Sequence, residues 1–235
     1  MDMTTKKASI EYILSQGLVK PQTAREKIAE MLRAIGFRFL FWDTGYSLFF
    51  AAITLTVVLV LFSLTPDNYR CSAAIAVAPL VFLLINLFAE TQERACGLYE
   101  LKQTCRYTIR QITALRVICY SAVGFVFTAV IATISADSGD EFLSLFPLCL
   151  FALFFCATLS ISFMRFFHGK WVHAVFAAVW VFVNFVIPFS LGEQWEALLR
   201  ETPVVLSVVF AVLEGAALAY QISKMLSEVK KYAAA

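Results

Sequence analysis

The sequence predicts an all-α polytopic membrane protein of six transmembrane helices, with both termini on the cytoplasmic side. Three observations predict it: an apolar composition, a series of apolar runs near twenty residues long, and a one-sided distribution of Lys and Arg. Of the 235 residues 60% are apolar and 15% charged, and 23 are phenylalanine. A soluble fold of this length cannot hide so much apolar surface, whereas lipid requires it.

The apolar runs place spans at 46–64, 71–89, 116–136, 143–164, 171–191 and 203–223. Each is long enough, at 1.5 Å per residue, to cross a hydrocarbon core of ~30 Å as a helix. Turn chemistry separates them: Thr65-Pro66-Asp67-Asn68, then Asp137-Ser138-Gly139-Asp140, then a short basic loop around His168-Gly169-Lys170, then Gly192-Glu193-Gln194 after Pro188. The chain so divides into a cytoplasmic N-terminal segment (1–45), a six-span domain (46–223) and a cytoplasmic tail (224–235). No cleavable signal peptide is expected, since the first apolar run begins only near residue 46. The six cysteines (71, 96, 105, 119, 149, 156) lie in apolar runs or in cytoplasmic segments, and free thiols are expected.

Orientation follows from the basic residues. Seventeen of the 19 fall in the N-terminal segment, the 90–116 connection, the 165–170 loop and the tail; the opposite side keeps only Arg70 and Arg200. The basic side is cytoplasmic by the positive-inside rule.

Two segments outside the spans have helical patterns. Thr23 and Glu26 form a capping box, and Ile28, Met31, Leu32, Ile35, Phe39 and Trp42 then recur at helical spacing, with Glu26, Arg33 and Arg38 largely elsewhere on the wheel. This is an amphipathic interface helix, either a membrane anchor or a surface for a cytoplasmic partner. The 90–116 connection is long for a compact helical protein. Its first part, about 90–104, is made of residues that favour or tolerate helix except Gly97, where another backbone could approach closely. A turn near Cys105 to Tyr107 follows, and Thr108-Ile109-Arg110-Gln111 is a second capping box that starts the helix of the third span.

The stretch ERACGLYELKQTCRYTIRQITALR, Glu93 to Arg116, resembles the connection after the second span in type-2 ABC export permeases. That family shows a glutamate, a glycine four residues on, an acidic-aliphatic pair, a small or polar turn and a basic residue opening the third span. Here those positions hold Glu93, Gly97, Glu100 with Leu101, Thr104 to Thr108, and Arg116, where the family more often has lysine. The resemblance implies that 90–104 is a coupling helix that contacts a separate ABC ATPase subunit through Glu93, Gly97, Tyr99, Glu100 and Lys102, with Arg33 and Arg38 nearby. It also implies a second permease subunit, identical or related, and a bacterial cytoplasmic (plasma) membrane. ATP and magnesium would belong to the partner ATPase, with no cofactor in this chain. The family carries a pair of short re-entrant helices between its last two spans, whereas here only Phe189 to Thr202 separates them, so an abbreviated insertion is expected.

The chain has no Gly-x-x-x-x-Gly-Lys-Ser/Thr run to cradle nucleotide phosphates, and no Gly-x-Ser-x-Gly. His168 and His173 lack acidic or cysteine partners at ligand spacing, so no metal site is expected. Catalysis is not expected, nor a nucleic-acid partner; membrane lipids surround the spans. Glu214, near the middle of the sixth span, needs a reason, because an ionised acid facing lipid would cost on the order of 3 kcal/mol. It is either a packed, hydrogen-bonded residue or part of a substrate pathway, and Asn184 poses the same question more weakly. The expected function is that of the permease subunit of an ATP-driven exporter of a hydrophobic, lipidic or peptide substrate. The alternative is a non-transporting scaffold or sensor that docks a cytoplasmic regulatory protein.

Overall fold

The computed structural model describes residues 69–95, 109–136, 138–166 and 171–227, together with the helical positions Glu26, Ala29, Arg33, Phe49, Ile53, Thr56 and Val60. The chain divides into two compact units, Met1–Phe39 and Leu40–Ala235. In the first, Glu26, Ala29 and Arg33 are helical and exposed, spaced so as to share one helical face. Of the predicted first span, 46–64, only Phe49, Ile53, Thr56 and Val60 are described, each helical and exposed; the rest lies outside the described residues.

The second unit contains seven fully described helices: α1 (Arg70–Val77), α2 (Leu80–Ala95), α3 (Ile109–Ser135), α4 (Gly139–Phe166), α5 (Val172–Leu191), α6 (Glu193–Glu201) and α7 (Val204–Ser227). No strand occurs among the described residues. Among the described residues five stretches are long and apolar enough to cross a membrane: Arg70–Phe88, Thr113–Ser135, Gly139–Met164, Val172–Leu191 and Val204–Met225. The chain is a multi-pass membrane protein.

The predicted second span, read as continuous over 71–89, is two helices meeting at Ala78 and Pro79. Proline has no N–H and crowds the preceding turn, so the α1 helix stops at Val77. Helical bonding resumes at once, with the Leu83 N–H donating to the Pro79 carbonyl at 3.0 Å, so the break is a kink inside one apolar stretch. The Trp180 indole N–H of α5 reaches the Ala76 carbonyl at 3.5 Å, beside this kink. α2 then continues past Phe88, where the apolar stretch ends, to Ala95. α3 opens at Ile109, directly after the expected cap Thr108.

α4 is the centre of the bundle, packing against α1, α3, α5 and α7. Its buried residues Cys149, Ala152, Leu153, Cys156, Ala157, Ser160 and Ile161 recur every three to four positions, a single stripe along the helix. α3 runs antiparallel to it: Phe125 meets Phe146 edge-on at 5.9 Å, and Gly124 lies against Leu153. α7 runs parallel to α4, with Phe151 beside Phe210, Phe154 beside Gly215, and the Gln221 amide donating to the Ser162 hydroxyl at 3.2 Å. α5 is apolar nearly all round and buries little of itself, exposing Val175, Val179, Phe182, Val186 and Phe189. That surface suits a hydrocarbon solvent.

Between α5 and α7 the sequence leads one to expect an abbreviated insertion within Phe189 to Thr202. The structure makes it the nine-residue helix α6. Gly192 turns the chain with φ +54° and ψ −132°, a conformation that a Cβ would strain. Extended Thr202 and then Pro203 end it. Glu196 and Leu199 are the buried residues of α6, whereas Leu198 and Glu193 are exposed.

Candidate functional site

A polar group with several buried partners lies where α6 meets the start of α1. An α-helix leaves its first N–H groups without internal partners, and the α1 N-cap position, Tyr69, supplies no side-chain acceptor. Glu196 supplies one from 125 residues away. Its carboxylate accepts the Cys71 N–H at 2.9 Å, the Ser72 N–H at 3.1 Å and the Ser72 hydroxyl at 2.6 Å. A carboxylate at a helix N-terminus also meets the positive end of the helix dipole, and charge-assisted bonds of this kind are the strong ones. Glu196 is 4% exposed, so its charge requires these partners.

Arg200, one turn further along α6, places Nε 3.6 Å from the Glu196 carboxylate. Partial burial works against the Arg200 charge, but Cys71, Glu196 and Glu141 outweigh it and hold the guanidinium above its ordinary pKa. A cavity of about 270 Å³ opens beside the junction, lined by Cys71, Ser144, Arg200, the acids Asp140 and Glu141, and leucines of α4 and α6. It gathers at one end of the bundle the starts of α1 and α4 and the α6 linker. Cys71, Cys119, Cys149 and Cys156 are free thiols, as the sequence leads one to expect; Cys96 and Cys105 lie outside the described residues. No cluster of His, Cys, Asp or Glu suited to a metal ion occurs among the described residues.

The sequence does not single out Glu196. Nothing in a linear pattern connects a glutamate in a linker to a helix start 125 residues earlier; the one local hint is Arg200 at i+4.

Of the predicted site residues, Glu93 lies on the backbone of α2, in its extension beyond the apolar stretch. Gly97, Tyr99, Glu100, Lys102 and Arg38 lie outside the described residues, and Arg33 is helical and exposed in the N-terminal unit. Asn184 donates to the Trp180 carbonyl of its own helix at 2.9 Å, which satisfies its amide N–H without a second helix. Glu214 is half-buried on α7 and its Oε2 has no hydrogen-bond partner among the described residues. Comparison of the chain with protein-family models, with curated proteins and with solved structures finds no match in any of the three.

Proposed function

We propose that this chain is the membrane-spanning subunit of an ATP-driven exporter, with six spans, both termini in the cytoplasm, and ATP hydrolysis carried by a separate ABC ATPase subunit. One observation carries the reading. The second predicted span does not end with its apolar stretch: α2 runs on from Phe88 to Ala95, roughly 10 Å of helix, and leads directly into the Glu93–Arg116 stretch that resembles an export-permease coupling segment. A helix continuous with a span can pass a push at its cytoplasmic end into the bundle as a rigid-body movement.

In this mechanism ATPase closure presses on residues 93 to 103, through Glu93, Gly97, Tyr99, Glu100 and Lys102, with Arg33 and Arg38 contributing from the interface helix. Two such subunits, identical or related, enclose the path of a hydrophobic, lipidic or peptide cargo. The ATPase holds ATP and magnesium. α6 stands on the outer face, a single short helix where the export permeases have a pair. The membrane is the bacterial cytoplasmic membrane.

Two measurements test this. Charge reversal at Glu100, Glu100→Lys, is expected to lower co-purification of the ATPase, or the stimulation of its turnover, by about tenfold or more, since a rejected charge pair costs on the order of 1.4 kcal/mol or more. Unchanged membrane insertion and Tm would show that the loss is specific, and wild-type coupling would sink the exporter reading. Purification that never yields a nucleotide-binding subunit, but does yield another cytoplasmic protein, would favour the scaffold. The topology is tested separately. In a chain whose native cysteines are replaced by serine, Glu193→Cys should react with a membrane-impermeant maleimide from outside intact cells and Lys224→Cys only after lysis; the reverse order would invert the orientation.

A further inference from the structure

Packed helices fill the space between them unless small side chains leave it open. At the Glu196 end of the bundle α1 and α4 each contribute a small residue, Cys71 and Ser144, to the wall of the cavity of about 270 Å³. That volume is near the lower end for small-molecule sites and equals roughly nine waters at ~30 Å³ each. α4 lines it with Asp140 and Glu141 in its first turn, then Ser144, then Leu145 and Leu148. Leu199 joins them from α6. Asp140 is exposed, whereas Leu145 and Leu199 are buried. From Asp140 to Leu148 is ~12 Å along the helix. The cavity therefore grades from a charged mouth at the head of the span Gly139–Met164 to an apolar floor within it.

The mouth is rich in acceptors and negative in charge. Its one guanidinium, Arg200, stands 3.6 Å from the Glu196 carboxylate and also feels Glu141. The Ser144 hydroxyl gives its hydrogen to the Asp140 carbonyl at 3.1 Å, which leaves its oxygen an acceptor on the cavity wall. The Asp140 and Glu141 carboxylates only accept. Helix ends change the balance little: the starts of α1 and α4 bring about half a positive charge each, and the end of α6 about half a negative one. Together with Glu196, Asp140, Glu141 and Arg200 they leave about one and a half negative charges at the junction.

We propose that this cavity binds the primary ammonium group of a small amphiphile, with the head at Asp140, Glu141 and Ser144 and the apolar end on Leu145, Leu148 and Leu199. An ammonium group carries one positive charge, three donors and no acceptor, the complement of that mouth. A quaternary ammonium has no N–H to give, and an anionic head would meet an excess of its own sign. The acids and Cys71 do not form a cluster suited to a metal ion among the described residues. The ammonium belongs to a free amine or to the headgroup of an aminophospholipid, and the chemistry recognised is the same. The site stands whether or not the chain is an exporter subunit, and no ATPase enters its test.

The experiment follows thermal unfolding of the full chain in phosphatidylcholine nanodiscs, titrated at constant ionic strength with hexylammonium chloride, sodium hexanoate, hexanol or calcium chloride. Hexylammonium raises the wild-type Tm by several degrees and saturates, because a ligand of the folded state stabilises it by mass action; the other three do not. The double variant Asp140→Asn with Glu141→Gln needs several-fold more hexylammonium for half the shift. Ser144→Phe, which fills the cavity, loses the shift. Nanodiscs containing phosphatidylethanolamine separate the sources. With a lipid occupant they raise the wild-type Tm by themselves, not that of the double variant, and hexylammonium then adds little; with a free amine they behave as phosphatidylcholine does. Should Ser144→Phe fail to fold, the double variant decides alone, since it alters only the mouth. A wild-type protein that responds to neither hexylammonium nor phosphatidylethanolamine overturns the site. So does an equal response to hexanoate, hexanol or calcium, or a response that either variant keeps in full.

Discussion

Glu196→Ala is expected to lower the unfolding free energy in detergent micelles by about 3 kcal/mol, because it strands buried donors rather than merely removing contacts. The Cys71 and Ser72 amides and the Ser72 hydroxyl lose their acceptor together, and Arg200 loses its carboxylate partner. A lone hydrogen bond contributes about 1 kcal/mol net, whereas an unsatisfied buried group costs about 1–3 kcal/mol. The loss is held below the sum of three such penalties because the end of α1 can fray toward interfacial water. Glu196→Gln keeps an acceptor oxygen but loses the charge, and about half the loss is expected. Ser72→Ala removes only the 2.6 Å hydroxyl bond, about 1 kcal/mol. In a double-mutant cycle the Ser72→Ala and Glu196→Ala losses should fall short of additivity by about that amount. Denaturation in micelles measures all four proteins, and full additivity would remove the hydroxyl from the junction.

The second large effect is steric. A Cβ added at Gly124 would stand 3.0 Å from Leu153 Cδ1, 3.4 Å from Cδ2 and 3.6 Å from the Phe82 Cβ. Leu153 and Phe82 are both 0% exposed, so neither has free space to retreat into. Gly124→Ala meets only the flexible end of a leucine, and the helix propensity gained, up to about 1 kcal/mol, offsets the crowding; a near-neutral change is expected. Gly124→Leu must push α2, α3 and α4 apart and is expected to cost about 3 kcal/mol, at the upper end of overpacking penalties. Leu153→Ala alone should cost about 2 kcal/mol, toward the low end for a core leucine. The reason is that the released surface meets lipid rather than water, so the dispersion and cavity contributions dominate. Combined, Leu153→Ala should recover much of the Gly124→Leu loss, since the two side chains occupy the same volume. Thermal unfolding of the three proteins checks this, and no recovery would show that Phe82 or the backbone sets the limit.

The residues involved in these two predictions differ in how far the linear chain announces them. Gly124 is one small residue in an apolar helix, and its role appears only when Leu153 is set beside it. The second span was legible as a length of apolar chain, and Pro79 within it was a visible signal for a kink that periodicity passes over. The loop before α7 offered Pro188, Gly192 and Pro203 as breakers, and the helix between them follows from residues that favour helix once Gly192 has turned the chain.

The sequence by itself determined that this is an all-helical multi-pass membrane protein and where most of its spans and turns fall. Those features are local: hydrocarbon demands about twenty apolar residues in a row, and Gly, Pro and Asp interrupt such runs wherever they stand. Tertiary structure alone decided which face of each helix turns inward. In water an apolar stripe marks the buried side, but in lipid the surroundings are as apolar as the core, so pattern is silent on that choice. It alone also joined Glu196 to the start of α1 and set Gly124 against Leu153. Those pairings depend on the register between helices far apart in the chain, which no local residue pattern encodes.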